Sequence, residues 1–202
     1  MLTRKTLSRL CTAVALSVPA FSAAAQDQTA LQVFAGESTR AVSRIGYWDN
    51  ATQSLPGQFS ITHGTPPWKS EYAGALEQLK GQRFRLGDNN WPTFDTNIPL
   101  TIAGKSIAPG IYYLAMECSK DGDFSLVFLD PKEIMTKRLD AFQAGQTTGG
   151  IVIPLKHSTV ETISEKLTMK LKRGEVDVKK ATLEIAWGPH KATAPIAASF
   201  QS

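Results

Sequence analysis

Ile111-Tyr-Tyr-Leu-Ala-Met-Glu117, Lys120-Asp-Gly-Asp123 and Phe124-Ser-Leu-Val-Phe-Leu129 decide the fold class of this 202-residue chain. Two aliphatic and aromatic runs flank an Asp-Gly pair, which supplies the positive-φ backbone that a tight reversal demands. A β-hairpin is therefore expected over 111–129.

The same pattern extends in both directions. Upstream, Gln58-Phe-Ser-Ile-Thr-His63 alternates as a half-buried strand and is closed by Gly64-Thr-Pro-Pro67. Trp68, Tyr72, Ala75, Leu76 and Leu79 recur at helical spacing, predicting a short amphipathic helix, or a loop with helical turns, that ends at Gly81. Arg83–Leu86, Trp91–Phe94 and Ile98–Ile102 read as strands. Gly87-Asp-Asn-Asn90, Ala103-Gly-Lys105 and Pro109-Gly110 are the turns between and after them. Downstream, Asp130 and Pro131 open a helix as cap and first residue. Ile134, Met135, Leu139 and Phe142 share one side of it, and Gly145 closes it. Gly150–Leu155, Lys166–Leu171 and Ala181–Trp187 are further strands, the last two joined by an exposed charged connection from Lys172. Short strands, frequent turns and few helices predict a mainly β antiparallel sandwich or barrel-like domain with one or two short helices. It is expected over 58–199. Residues 26–57 form a polar N-terminal segment with a candidate strand at Leu31–Phe34 and an apolar knot at Arg44–Trp48. Asn50-Ala-Thr52 matches a glycosylation sequon.

Residues 1–25 have a different character. Arg4, Lys5 and Arg9 precede an apolar run from Leu10 to Val18, Pro19 breaks it, and Ala23-Ala-Ala25 follows. Cations, a short apolar stretch and a small-residue exit compose a secretory signal peptide, cleaved after Ala25. The apolar run is half the roughly 20 residues that a permanent span needs, and no later segment is apolar for long enough. The expected product is a periplasmic or secreted bacterial protein. The chain carries 22 basic and 18 acidic residues. Three of the bases and none of the acids lie in the leader, so the remainder is close to neutral. Its charge gives no reason to expect a nucleic-acid partner. Cys118 is the one thiol outside the leader, which excludes an intramolecular disulfide there and points to a buried thiol.

Motifs that carry chemistry fail on spacing. Gly104-Lys105-Ser106 lacks the glycine that a phosphate loop needs at position 99, where Pro99 stands, and it sits in a hairpin turn. His63, His157 and His190 are too far apart in sequence for a helical or finger-type zinc site, so neither a metal nor a cofactor is expected. No G-x-S-x-G elbow occurs. Asp121 and Asp123 suit a turn better than a calcium loop. The densest polar cluster is Arg83, Arg85, Asp88, Asn89, Asn90 and Trp91, with Thr93 just after it and His63, Trp68 and Tyr72 nearby in sequence. Aromatic faces beside directional donors suit a small-ligand or sugar groove. Arg85, Asn89, Trp91, Thr93 and His63 are accordingly the candidate ligand-binding residues. The competing reading is a turn capped by Asp and Asn, with Trp91 in the core.

Phe84-Arg-Leu-Gly-Asp-Asn89, Thr93 and Ile102-Ala-Gly-Lys-Ser-Ile-Ala-Pro-Gly-Ile-Tyr-Tyr-Leu114 resemble the bacterial "domain of unknown function 2911" family. Its pattern runs W-R-x-G-A-N-x-x-T and then I-G-G-K-x-(L/V)-P-A-G-x-Y-x-L. Ile61–Pro66 is similar to an I-x-Y-x-x-P segment of that family, and Leu183–Gly188 with Ala194-Pro195 to its final strand. The resemblance covers about residues 58–197 and implies an exported β-rich domain in which Arg85, Asn89 and Thr93 are the matching polar positions. The expected function is a non-enzymatic small-ligand or carbohydrate-binding β-domain. The alternatives are a cell-envelope protein–protein module or an unrecognised hydrolase that brings together two or more of His63, His157, His190, Asp88 and Cys118.

Overall fold

In the computed structural model of the chain, which describes Val33 and residues 35–200, the turn Ser119–Asp123 joins β7 (Gly110–Cys118) to β8 (Phe124–Leu129) as a hairpin, with Gly122 at φ 95°. The Ser119 hydroxyl accepts from the amides of Asp121 and Asp123 and pins the reversal. This hairpin is the middle of a seven-stranded antiparallel sheet. Its path runs β1 (Arg40–Asp49), β2 (Ser54–Gly64), β4 (Thr93–Thr96), β7, β8 and β9 (Ile151–Pro154). β3 (Gln82–Arg85) also pairs with β7, against its far half, so β3 and β4 act as one strand interrupted by the turn at 87–90. The second sheet has four strands in the order β10 (Lys156–Arg173), β11 (Lys180–Ala198), β5 (Leu100–Ile102) and β6 (Lys105–Ile107). The mainly β, two-sheet antiparallel expectation holds.

The inner faces meet over Phe59, Ile61, Phe94, Leu114, Leu126, Phe128, Ile153, Met169, Leu183 and Ile196. Phe94 is the centre of this core. Its ring stacks near Phe59 at 6.2 Å and meets Phe128 edge to face at 5.1 Å. A second, smaller core lies on the outer face of the large sheet. There Ala115, Val127 and Leu129 are covered by Trp91, Ile134, Ala141 and Ala144. β8 is thus buried on both faces, which is why its sequence reads as a continuous apolar run rather than an alternation.

The free edge of β10 is closed by side chains and by a strap. The amide of Leu167 donates to the Pro66 carbonyl, that of Met169 to His63 Nε2, and that of Leu171 to Ser43 Oγ. Trp68 donates its own amide to the Glu165 carbonyl. The segment after β2 therefore binds the two sheets together along one side, satisfying amides that an edge strand otherwise exposes.

Several expectations need adjustment. The segment 68–79 is a 3₁₀ turn, Ser70–Gly74, followed by the four-residue α1 (Ala75–Gln78), the turn-bearing loop rather than a regular helix. The helix expected to run from Pro131 to Gly145 is two pieces: α2 (Pro131–Thr136) and a 3₁₀ turn at Ala141–Gln146. Arg138 at φ 53° breaks it, and Asp140 starts the second piece with a reciprocal capping box to Gln143. Met135 and Phe142 are consequently exposed while Ile134 and Leu139 pack inward. The apolar knot at 44–48 is part of β1, and the compact unit begins at Glu37, so the boundary at residue 58 falls inside β2. The leader call lies outside the described residues, and of the candidate strand Leu31–Phe34 only Val33 is described, in no strand. Among the described residues no helix is long and apolar enough to cross a membrane.

Candidate functional site

The five residues singled out in the sequence do not share one cleft. His63 is buried at the end of β2. Its Nδ1 lies 2.7 Å from the Gly64 carbonyl and its Nε2 accepts from the Met169 amide at 3.1 Å, so the ring is neutral with its proton on Nδ1. Burial pushes its pKa down, the Gly64 hydrogen bond opposes that shift, and the charge of Arg40 adds to it. His63 holds the two sheets together. The Arg85 guanidinium lies over the exposed ring of Phe142 at 3.8 Å, and its Nη1 is buried without a hydrogen-bond partner among the described residues. Asn89 is exposed in the left-handed region at φ 57°, where Asn is tolerated in a turn.

Trp91 and Thr93 do converge, with Arg40, Asn90, Tyr113, Asp140 and Ala141, on an open cleft of about 350 Å³. Its chemistry is largely spent internally. Arg40 donates to the carbonyls of Asn90, Thr62 and Trp91. The Asp140 carboxylate accepts from the Phe142 amide. Trp91 is 8% exposed, stacked nearly parallel on Tyr113 at 5.7 Å, and gives its indole N–H to the Leu139 carbonyl. A sugar platform needs a free indole face, and this one has none. The reading of Trp91 as a core residue prevails.

A better site lies between β3, β7 and β8 of the large sheet and β10 and β11 of the other. Here an apolar cavity of about 90 Å³ opens between the layers, walled by Phe84, Leu86, Met116, Leu167 and Ile185 and rimmed by Phe124, Trp187, His157 and His190. Trp187 is oriented by donating its indole N–H to the Pro66 carbonyl. Trp68 meets it edge to face at 4.9 Å, and Tyr72 stacks on it at 5.2 Å. Gly188, at φ 59°, lets the Trp68 indole lie directly on the β11 backbone, in space that a Cβ would occupy. The ring series continues from Trp68 to His190 at 5.7 Å, from His190 to His157 at 5.5 Å, and from His157 to Phe124 at 5.0 Å. His157 Nε2 and His190 Nδ1 are 3.3 Å apart.

No family model, curated protein or solved structure matches this chain.

The site must therefore be judged on its own chemistry. The hydrolase reading needs two or more of His63, His157, His190, Asp88 and Cys118 within hydrogen-bond reach of one another, and His157 with His190 meets that condition of distance. Cys118 is buried, and burial raises its pKa, so its thiol is in the unreactive form. Its Sγ points to the Ser119 carbonyl. Among the described residues neither histidine is hydrogen-bonded to a hydroxyl, thiol or carboxylate. A cavity without polar wall groups, framed by aromatic rings, suits the capture of an apolar group rather than acyl or glycosyl transfer.

Sequence reading missed this site because its parts are far apart in the chain. His157 reads as the start of a loop after Leu155, and His190 as a residue beyond a Gly-Pro turn. The structure places both in strands, diagonal to each other in the pairing of β10 with β11. The β-branched residues Thr159, Val160, Thr162 and Ile163, and Thr193 and Ile196 after His190, are the signals that pointed to strands here.

Proposed function

We propose that this domain is a non-enzymatic binding module outside the cytoplasm, and that it takes the compact apolar end of a small molecule into the cavity at its aromatic end. The observation that carries this reading is the 90 Å³ apolar cavity opening beneath the Trp68–Trp187–Tyr72 cluster and the two histidines. Its size sets the ligand class: one ring or a short branched chain fits, whereas a whole sugar does not. Its lining excludes a polyol, because hydroxyls buried there would lose their water partners at a cost of about 1–3 kcal/mol each. The cavity supplies about 1.5–3 kcal/mol when filled by a group the size of a Leu or Phe side chain. That falls short of the roughly 4 kcal/mol of millimolar binding, so the ligand also has a part that lies against the ring series at the rim. The secretory leader and the resemblance to an exported bacterial family support the extracytoplasmic setting.

The test is a thermal-shift and tryptophan-fluorescence screen of the chain from Gln26 onward. The panel comprises aromatic and branched-chain acids, amines and alcohols, with 1 mM chelator present. Trp187 lines the cavity and Trp68 packs against it, so an occupant should alter their emission. Ala192→Leu fills the cavity from β11, directly across from His157, and should abolish the response while the melting temperature holds or rises. Absence of any response across the panel, or a response that survives Ala192→Leu, would sink the proposal.

A further inference from the structure

We infer that His157 and His190 form a two-histidine chelate for a divalent d-block cation of borderline softness, with tetrahedral Zn²⁺ the best fit. This goes beyond the apolar cavity and does not depend on it. The argument begins with distance. His157 Nε2 and His190 Nδ1 are separated by 3.3 Å. Zinc–imidazole bonds of about 2.05 Å that subtend about 107° span this separation, which is close to the tetrahedral angle of a zinc site. A square-planar ion with cis imidazoles at about 2.0 Å would want its nitrogens only about 2.8 Å apart, so the spacing disfavours Cu²⁺ and Ni²⁺ in that geometry.

The second part is how the rings are held. Their planes are inclined by 26°. Each has an aromatic neighbour on its far side, Phe124 at 5.0 Å for His157 and Trp68 at 5.7 Å for His190. The strands that carry them are hydrogen-bonded partners: Lys156 to Thr159 pair with Thr193 to His190. Preorganisation of this kind removes the ordering cost that leaves two free histidines poor ligands.

The third part is charge. A metal takes the neutral imidazole. Two ammonium groups are adjacent in sequence, Lys156 beside His157 and Lys191 beside His190; Lys191 is paired with Glu184 at 2.6 Å, which tempers its repulsion of a cation. Among the described residues no third His, Cys, Asp or Glu joins the pair in a metal-sized group. The ion would therefore keep two coordination positions for water or an exogenous donor, as an exchangeable site does and a closed structural zinc site does not.

The experiment is calorimetric titration of tag-free protein from Gln26 onward with ZnCl₂ at pH 7.5, together with visible absorption of the Co²⁺ form. One saturable Zn²⁺ equivalent is expected, with proton release, and intense Co²⁺ bands of the tetrahedral type. His157→Ala and His190→Ala should each weaken Zn²⁺ binding by about tenfold or more, while far-UV circular dichroism stays unchanged. Absence of saturable Zn²⁺ binding, or binding that neither substitution weakens, overturns the site. If either variant unfolds, His157→Gln and His190→Gln keep the side-chain volume and decide the same question. The chelator in the cavity screen separates the two readings, so either can fail alone.

Discussion

His63 shows how a residue that looks functional in sequence is consumed by structure. A histidine ending an alternating strand, next to Gly and two prolines, has the look of a site residue. In the fold it is the one ring that reaches an otherwise unpaired edge amide, at Met169. Replacing it with Ala strands a buried N–H, at about 1–3 kcal/mol, and leaves a void as well. His63→Ala should therefore lower the urea midpoint with little change in slope. The depressed pKa of His63 fixes the pH dependence. Above the unfolded-state value near 6.5 the ring is neutral in both states and its contribution is fully present. As pH falls through that value, the unfolded chain gains a proton that the folded chain refuses, so stability is lost until the folded pKa is reached. The groups that act on the ring are Arg40, which lowers its pKa, and Asp88, which raises it. Urea midpoints of the native chain should fall from pH 7.5 to pH 5. His63→Gln, which keeps an acceptor and a donor, should flatten that fall. An equal fall in both proteins would show that His63 is not the titrating group.

At the scale of elements, turn chemistry was the legible part. Asp121-Gly122, Ala103-Gly104 and the Asp130-Pro131 cap all sit where their residue types predict. The break at Arg138 was not legible. Apolar spacing runs on past it, and only the Asp140–Gln143 capping box records that a new turn begins. Nor was the strap Pro66–Trp68 legible, because its function is to meet β10 about 100 residues later. The strap depends on Gly188. A Cβ at that position would overlap the Trp68 indole, and φ 59° is a conformation that glycine adopts at least cost. Gly188→Ala should cost about 1–2 kcal/mol from backbone conformation alone, and more as Trp68 is pushed off β11. The near-UV circular dichroism of the Trp68–Trp187 pair should weaken accordingly. A spectrum identical to that of the native chain, with an unchanged midpoint, would show that the ring does not rest there.

The molecule as a whole is held by pairings distant in sequence. β2 reaches β4, the strap reaches β10, and β11 returns to β5. Such a topology folds slowly, because loop closure is completed before core contacts repay it. The apolar cavity lies at the aromatic end and not in the middle. The middle is filled by the Phe59–Phe94–Phe128 rings, all within 1% of complete burial. The two-layer arrangement was legible because alternation and turns mark the strands; the site was not, because it is made by the register between strands rather than by any segment. If the central rings carry the stability and the aromatic end carries the binding, the two should separate experimentally. Phe94→Ala should cost about 3–5 kcal/mol, a large share of the roughly 5–15 kcal/mol that holds a domain of this kind. The protein that remains folded should still take the apolar ligand and Zn²⁺ with native affinity, because Phe94 lines neither site. Loss of ligand or metal affinity in the folded fraction of Phe94→Ala, measured at a temperature where its circular dichroism is native, would mean that the cavity is shaped by the central core after all.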